Sequence, residues 1–577
     1  MSSRGWSAAL VFVAFLAGGS GMLAPRAASG QESASAGIPV TSDLVVRSCS
    51  RCHTQDADGR MTRISYLRKT PEGWSQSIRR MVSLNGVSVD PEEARQIVRY
   101  LANNHGIGPE ELRPAFYEVE RRPRTDRPEM AEVVRETCTA CHSIGRIATQ
   151  RRTAEEWRLV TDTHRGLYPL TERQVFLRGS VPEEEGDFEF PLDAAVARLA
   201  REYPLETTAW TNWSANMRPA QITGTWALMG YEVGRGPVFG TVEVTAVGAE
   251  GDQFRTDASY TYPKEGRSVT RSGEATVYTG YQWRGRSQGS GDQHGPLREV
   301  LFVERDWNEM FGRWFTGAYE ELGIDVRMVR VGSGPVVLGA YPEHVRAGTE
   351  ADVRVFGAGL PAGLSAADVN LGAGVEVLSV TDASDQALTI RVRVAPDAPE
   401  GARDVVLGGA HGGDALTVYE AVDYIEITPS RGLAHAGGAN FEPGFARFEA
   451  IGVTDGPDGR RGTEDDVRIG AVDASWSLVE YPRTWNDDDL EFVGQIDGNG
   501  RFTPAIDGPN PERSGNRNNI GEVWVRAEHR PEGAPAGAQP LGARAFLLIS
   551  PPDYIEWEPR EERLSTADDR LQGGGRE

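Results

Sequence analysis

All four cysteines of the chain fall in two short runs, Cys49-Ser-Arg-Cys52-His53 and Cys138-Thr-Ala-Cys141-His142. Two thiols two residues apart can add to the vinyl groups of one haem from a single helical turn, while the following imidazole reaches the iron as proximal ligand. Disulfides would use the same cysteines but leave both histidines unexplained. A four-thiolate zinc site is the other rival, and a histidine directly after each cysteine pair is not expected of a zinc ribbon. The spacing therefore predicts two covalently bound haem c groups, attached at Cys49, Cys52, Cys138 and Cys141, with His53 and His142 on the irons.

The elements that must position these groups are duplicated. Val45-Val46-Arg47-Ser48-Cys49 parallels Val133-Val134-Arg135-Glu136-Thr137-Cys138 with one residue inserted. Downstream, Thr70-Pro71-Glu72 opens a helix with a capping residue and a first-turn proline, and Thr153 to Glu156 has the capping-box spacing. On the helix that follows, Trp74, Ile78 and Met81 share one face, and Trp157, Thr161 and His164 fall at the same offsets. Met81 and His164 are thus equivalent positions, and each side chain is able to bind haem iron. The expected pairs are His53/Met81 and His142/His164. Core filling by Met81 and a hydrogen-bonded role for His164 are the bland alternatives. Met61 and His105 are rival ligands, although Met61 is close behind His53 and His105-Gly106 reads as a helix end.

A third helix closes each repeat. Asp90-Pro91-Glu92-Glu93 caps one that buries Ala94, Ile97, Val98 and Leu101, and its partner runs from Leu192 to Tyr203. Three helices round a haem describe a cytochrome c fold, here present twice. Arg79, Arg80, Arg151 and Arg152 are candidates to pair with haem propionates, against the simpler reading of solvated helix faces. A thioether is a weaker donor than imidazole toward ferric iron, so the Met81 haem is expected to have the higher potential.

Ahead of the motifs, Arg4 and the apolar run Ala8 to Ala17 lead into small residues, the pattern of a secretory signal over residues 1–30. No later stretch approaches the ~20 apolar residues of a membrane span, so the expectation is a periplasmic protein not held in a membrane. Removing residues 1–30 takes away Arg4 and Arg26 and moves the formal charge from −23 to −25. That acidity argues against nucleic acid and favours encounter with basic partners.

The remaining length is too great for one core. Beyond about residue 210 helical periodicity gives way to strand alternation, as in Thr241–Thr245, Ile390–Val394 and Glu522–Arg526. The expected fold class is multidomain: an all-α dihaem cytochrome c domain over 31–210, with repeats at about 40–112 and 128–205, then three all-β domains. Residues 215–332 suit a small barrel, 333–427 an immunoglobulin-like sandwich and 428–558 a further sandwich, before a polar tail at 559–577. The acidic loop Asp455 to Asp466 lacks EF-hand spacing and reads as an ordinary turn, so no calcium ligand is assigned. No nucleotide-binding glycine loop, nucleophile elbow or His-Glu-x-x-His site is present.

The signal, the duplicated haem region with its Trp74-to-Met81 and Trp157-to-His164 spacings, Arg79-Arg80-Met81, Tyr100-Leu-Ala-Asn-Asn-His-Gly106 and the three β blocks together resemble the alpha subunit of quinohemoprotein amine dehydrogenase. The resemblance covers the mature chain and is most specific in the haem region. It implies one bis-histidine and one histidine/methionine haem. It further implies a heterotrimer in which a cysteine tryptophylquinone on a small γ subunit oxidises primary amines and a β-propeller subunit completes the complex. The implied role of this chain is to carry electrons from that quinone to a soluble periplasmic acceptor, a cytochrome c or a blue copper protein. With all four cysteines committed to haem, none remains for a quinone, so the isolated chain is expected to lack amine oxidation activity and no catalytic residue is assigned. Two other classes stay open: a dihaem peroxidase, which needs an open sixth position, and an adhesive or scaffold protein with a haem domain attached.

Overall fold

The computed structural model describes residues 36–115, 130–138, 144–168, 191–290, 294–317, 321–438, 441–482, 487–535 and 537–552. The signal region, the tail 559–577, Cys141 and His142 lie outside the described residues.

In the first repeat, α1 (Asp43–Cys49) starts where the Ser42 hydroxyl accepts the Val45 N–H and ends on the first cysteine. Helix α2 (Pro71–Asn85) begins at Thr70, whose hydroxyl accepts the Gly73 N–H, and stops at Gly86, which takes the left-handed conformation (φ 65°) that glycine adopts without penalty. Helix α3 (Pro91–Asn104) is capped by Asp90, and a turn of helix, α4 (Pro109–Leu112), follows. The second repeat runs through α5 (Glu132–Cys138), again ending on its first cysteine, then α6 (Gly145–Ala148), α7 (Ala154–Leu167) capped by Thr153, and α8 (Pro191–Glu202). Helix α9 (Thr208–Asn216) leads into the β region.

This part is not helical throughout. Strands β1 (Leu67–Lys69) and β2 (Gln150–Arg152), one per repeat, pair antiparallel in the register Leu67↔Arg152, Arg68↔Arg151 and Lys69↔Gln150. Arg68 and Arg151 are repeat equivalents, so each lies opposite its own counterpart. The two repeats are therefore related by a pseudo-twofold axis through this ladder.

The next eight strands, from β3 (Gly224–Glu232) to β10 (Leu322–Arg330), form an up-and-down barrel closed by the pairing of its last and first strands. Gln253–Tyr262 shows why it closes on itself: exposed and buried residues alternate strictly, with Phe254, Ala258, Tyr260 and Tyr262 turned inward. Trp226, Trp283 and Trp314 fill the interior, making it a packed core. Two four-stranded sheets between Val336 and Tyr419 then face each other over Val353, Ile390, Val392 and Val418. Three further sheets between Tyr424 and Ser550 surround Phe448, Phe502, Val525 and Leu547.

The first repeat docks on the barrel. Ile107 and Leu112 enter the barrel core, the Tyr281 hydroxyl donates to the Ile107 carbonyl at 2.9 Å, and the Thr279 N–H donates to Asn103 Oδ1 at 2.7 Å. A Cβ at Gly106 would lie 2.1 Å from the Ala102 carbonyl oxygen and 2.6 Å from Thr279 Cγ2, so a side chain there would clash with the end of α3 as well as with the barrel. Glu72 and Arg284 form a buried ion pair across the same contact.

Candidate haem site

Cys49 is half-buried and packs against the core of Val45, Met61, Trp74, Ile97 and Leu101, while Cys52 is exposed one turn later. Neither forms a disulfide, and burial first, then the neighbouring Cys52, raises the Cys49 pKa. His53 follows with its ring Nδ1 2.9 Å from the Thr62 carbonyl. A carbonyl can only accept, so Nδ1 carries the proton and Nε2 is left as the lone-pair nitrogen, the form that binds a metal. Two thiols on one turn and an imidazole in the ligand tautomer form a donor set that fits a haem c.

Met81 lies in the last turn of α2, half-buried, with Asn85 Nδ2 3.7 Å from its sulfur. His164 sits at the equivalent position of α7, its Nδ1 2.7 Å from the Val160 carbonyl, so it too presents Nε2 as the lone-pair nitrogen. Burial lowers the His164 pKa, Arg80 and Arg152 push it the same way, and the imidazole is held neutral. Cys138 ends α5, half-buried beside Val134 and Leu199, in a core that also holds Trp157.

The rival positions behave differently. Met61 is fully buried in the first-repeat core, where its N–H donates to the Ser65 hydroxyl at 2.8 Å. His105 caps α3, fully buried against Trp74 and Tyr100. Neither of its ring nitrogens makes a well-formed hydrogen bond; burial lowers its pKa to about 4, and the Pro39 carbonyl beside the ring offsets this only in part. The His105 carbonyl accepts both the Trp74 indole N–H at 2.9 Å and the Lys69 N–H at 3.0 Å. In repeat two the Tyr203 carbonyl takes the Trp157 indole N–H at 3.0 Å and the Arg152 N–H at 3.2 Å. His105 is thus the counterpart of Tyr203 at a helix end, whereas Met81 is the counterpart of His164.

The reading of Arg151 and Arg152 as solvated helix faces is overturned. Both lie on β2 and are buried, because pairing with β1 turns them into the seam between the repeats. Arg68 and Arg151 converge on Glu111, with Arg68 bidentate at 2.8 and 2.9 Å and Arg151 Nε at 3.1 Å. Burial alone would raise the Glu111 pKa, but these guanidinium contacts bring it down to about 2. Lys69, Arg68 and Glu111 were not singled out from sequence, although Lys69 and Arg152 precede the two capping threonines directly.

In the third β region the acidic loop is closed on itself. Thr463 Oγ1 donates to Asp465 at 2.8 Å, and the Gly462 N–H donates to Asp466 Oδ2 at 2.7 Å. The Tyr424 hydroxyl reaches the same Asp466 oxygen at 2.5 Å.

Four family models match the chain in succession. The haem-binding model of the quinohemoprotein amine dehydrogenase alpha subunit covers residues 40–210, and those for its domains II, III and IV cover 219–331, 334–420 and 425–560. No curated relative matches the chain. Among solved structures, a redesigned β-barrel is 13% identical over 19% of this chain and 90% of its own, with a TM-score of 0.17. A two-domain piece of the S-layer protein SbsC is 13% identical over 37% of this chain and 99% of its own, with a TM-score of 0.14.

Proposed function

The chain belongs to the family of quinohemoprotein amine dehydrogenase alpha subunits, and on that premise we propose that it is the dihaem electron-transfer subunit of a periplasmic amine dehydrogenase. The observation that carries the proposal is the matched pair of sites: two Cys-x-x-Cys-His motifs at equivalent helix ends, each followed by a capped helix that presents Met81 or His164 at one position. Cys49 and Cys52 would hold one haem with His53 and Met81 as axial ligands, and Cys138 and Cys141 the other with His142 and His164. Bound there, each haem supplies a one-electron centre. The chain's own residues fix the rest. Thr62 and Val160 set the tautomers of His53 and His164, the tryptophans lock each ligand helix to the end of its repeat, and the seam holds the repeats together.

In this reading the chain would accept electrons from a cysteine tryptophylquinone on a small partner subunit at repeat two and would release them from repeat one to a soluble periplasmic cytochrome c or blue copper protein. A β-propeller subunit completes the assembly. The order of the repeats follows from the ligands, since a thioether opposite His53 favours the reduced state more than an imidazole does.

Purification of the affinity-tagged chain from its native host tests this reading. The expected result is an intact mass two haem groups above the polypeptide, with co-purification of a propeller-sized chain and a small quinone-positive chain. Turnover of a primary amine by this chain alone, or a native mass with no haem increment, would overturn it.

A further inference from the structure

The two repeats differ at one buried charge. Lys69 and Arg152 are equivalent: each ends its strand, precedes a capping threonine, and donates its N–H to the carbonyl that also binds the tryptophan indole. Their cationic ends lie over equivalent rings, Lys69 Nζ 5.7 Å from the Trp74 centroid and Arg152 Cζ 5.5 Å from that of Trp157. Lys69 is 6% exposed and Arg152 4%.

Three residues beyond the capping threonine, repeat two has Glu156 and repeat one has Gly73. Arg152 consequently has a carboxylate 3.7 Å away, besides the Gln150 side-chain oxygen at 2.7 Å. Lys69 has the Ser77 hydroxyl at 2.6 Å and, among the described residues, no carboxylate partner. A Cβ at Gly73 would lie 3.0 Å from the Lys69 Cβ, so the glycine is what lets the lysine stem cross the helix. The charged groups facing Lys69 do not supply the missing anion: Arg152, Arg80 and Arg63 outnumber Glu156, which already binds Arg63 at 2.8 Å. Burying an ammonium without a counter-charge costs several kcal/mol, more than a hydroxyl and an aromatic ring offset.

The position of the ammonium says which anion completes it. Gly73, Ser77 and Met81 form one row at i, i+4 and i+8 on α2, so Lys69 Nζ, resting on Ser77, is one helical turn from the ligand position. A haem ligated at Met81 would carry its own propionate carboxylates toward that turn, and the burial of Lys69 limits access of bulk anions. We propose that Lys69 pairs with a propionate of the repeat-one haem, and that its charge, which no carboxylate among the described residues neutralises, holds that haem above its repeat-two partner in potential. The proposal rests on the reading of Met81 as axial ligand. A cation next to the haem disfavours the additional positive charge of ferric iron, whereas in repeat two Glu156, shared between Arg63 and Arg152, offsets part of that effect within the protein.

The test is a spectroscopic redox titration of the purified native complex. Lys69→Met is expected to lower one of the two midpoint potentials and to shift the propionate-bending band of the same haem in its resonance Raman spectrum. The charge-transfer band of methionine ligation should persist, and Lys69→Arg should restore the potential. Two unchanged potentials in Lys69→Met, with two haems present, would overturn the role of Lys69 while leaving the ligand reading intact. Absence of a methionine band in the unaltered protein would instead remove Met81 as ligand, and this proposal with it. Should Lys69→Met not fold, Lys69→Gln, which removes the charge but can still hydrogen-bond the Ser77 hydroxyl, is expected to lower the same potential; an unchanged value would again overturn the inference.

Discussion

His53 and His164 owe their tautomers to their backbone surroundings. In each, a carbonyl accepts a hydrogen bond from Nδ1–H, Thr62 for His53 and Val160 in the preceding turn for His164, so the lone pair lies on Nε2, the form a haem iron would require. Methionine needs no such help, since a thioether has no tautomer; the Met81 carbonyl accepts the Gly86 N–H that ends its helix. The ligand exchange that follows is direct. Met81→His is expected to lower the potential of the repeat-one haem toward that of repeat two and to slow reduction of the external acceptor, leaving quinone reduction by amine nearly unchanged. Met61→Leu, at a fully buried core position, should leave both potentials in place. Redox titration of the two variants checks this, and unchanged potentials in Met81→His would mean that Met81 is not a ligand.

At the level of elements, the seam between the repeats shows how an internal duplication becomes one body. Antiparallel pairing of β1 and β2 places Arg68 opposite Arg151, and the two like charges are reconciled by Glu111. Arg68 is fully buried and its carboxylate partner nearly so. Removing one member of such a group leaves the other's charge buried and unpaired, so Arg68→Met is expected to cost about 3–5 kcal/mol of stability. By contrast Arg47, paired with Glu93 on the surface, should cost no more than about 1 kcal/mol when changed to alanine. Chemical denaturation followed by haem absorbance separates the two. The capping threonines, the tryptophan offsets and the strand alternation were legible in the sequence because each is a local pattern. The burial of Arg151 and Arg152 was not, because it follows from pairing between segments 83 residues apart in the two repeats, and no local period signals that a polar run will be covered. For the same reason Lys69 was invisible as a site residue: its significance lies in the absence of a carboxylate at Gly73, which only the folded neighbourhood exposes.

Across the whole molecule, the β regions are joined by titrating carboxylates that pull stability in opposite directions with pH. Glu232 of the barrel is buried among Arg235, the Tyr262 hydroxyl, His294 and Arg447, the last from the third β region, and although burial opposes it, these partners lower its pKa to about 2. Glu111 at the haem seam is lowered to the same value. Against an unfolded value of 4.5, each lowered carboxyl contributes stability that is complete above pH 4.5 and lost as the pH falls toward 2, about 3 kcal/mol apiece if fully expressed. Glu343 does the reverse. It lies in the sandwich where its charge meets Glu449 of the third region and Tyr231 of the barrel, and burial first, then Glu449, raises its pKa to about 7. The folded state therefore holds a proton on Glu343 that the unfolded chain has released above pH 4.5. That contribution is fully present below pH 4.5 and disappears as the pH rises to 7. Together these groups predict a stability maximum near pH 4.5, falling steeply on the acid side and gently toward neutrality. Glu343→Gln, which cannot ionise, is expected to flatten the limb between pH 4.5 and 7 and leave the acid limb unchanged, whereas Glu232→Gln should weaken the protein most at neutral pH and progressively less toward pH 2. Denaturation midpoints of the three proteins measured across pH 2–7 decide the matter: a Glu343→Gln profile that still declines as steeply as the parent's would show that the three-domain junction does not carry this proton.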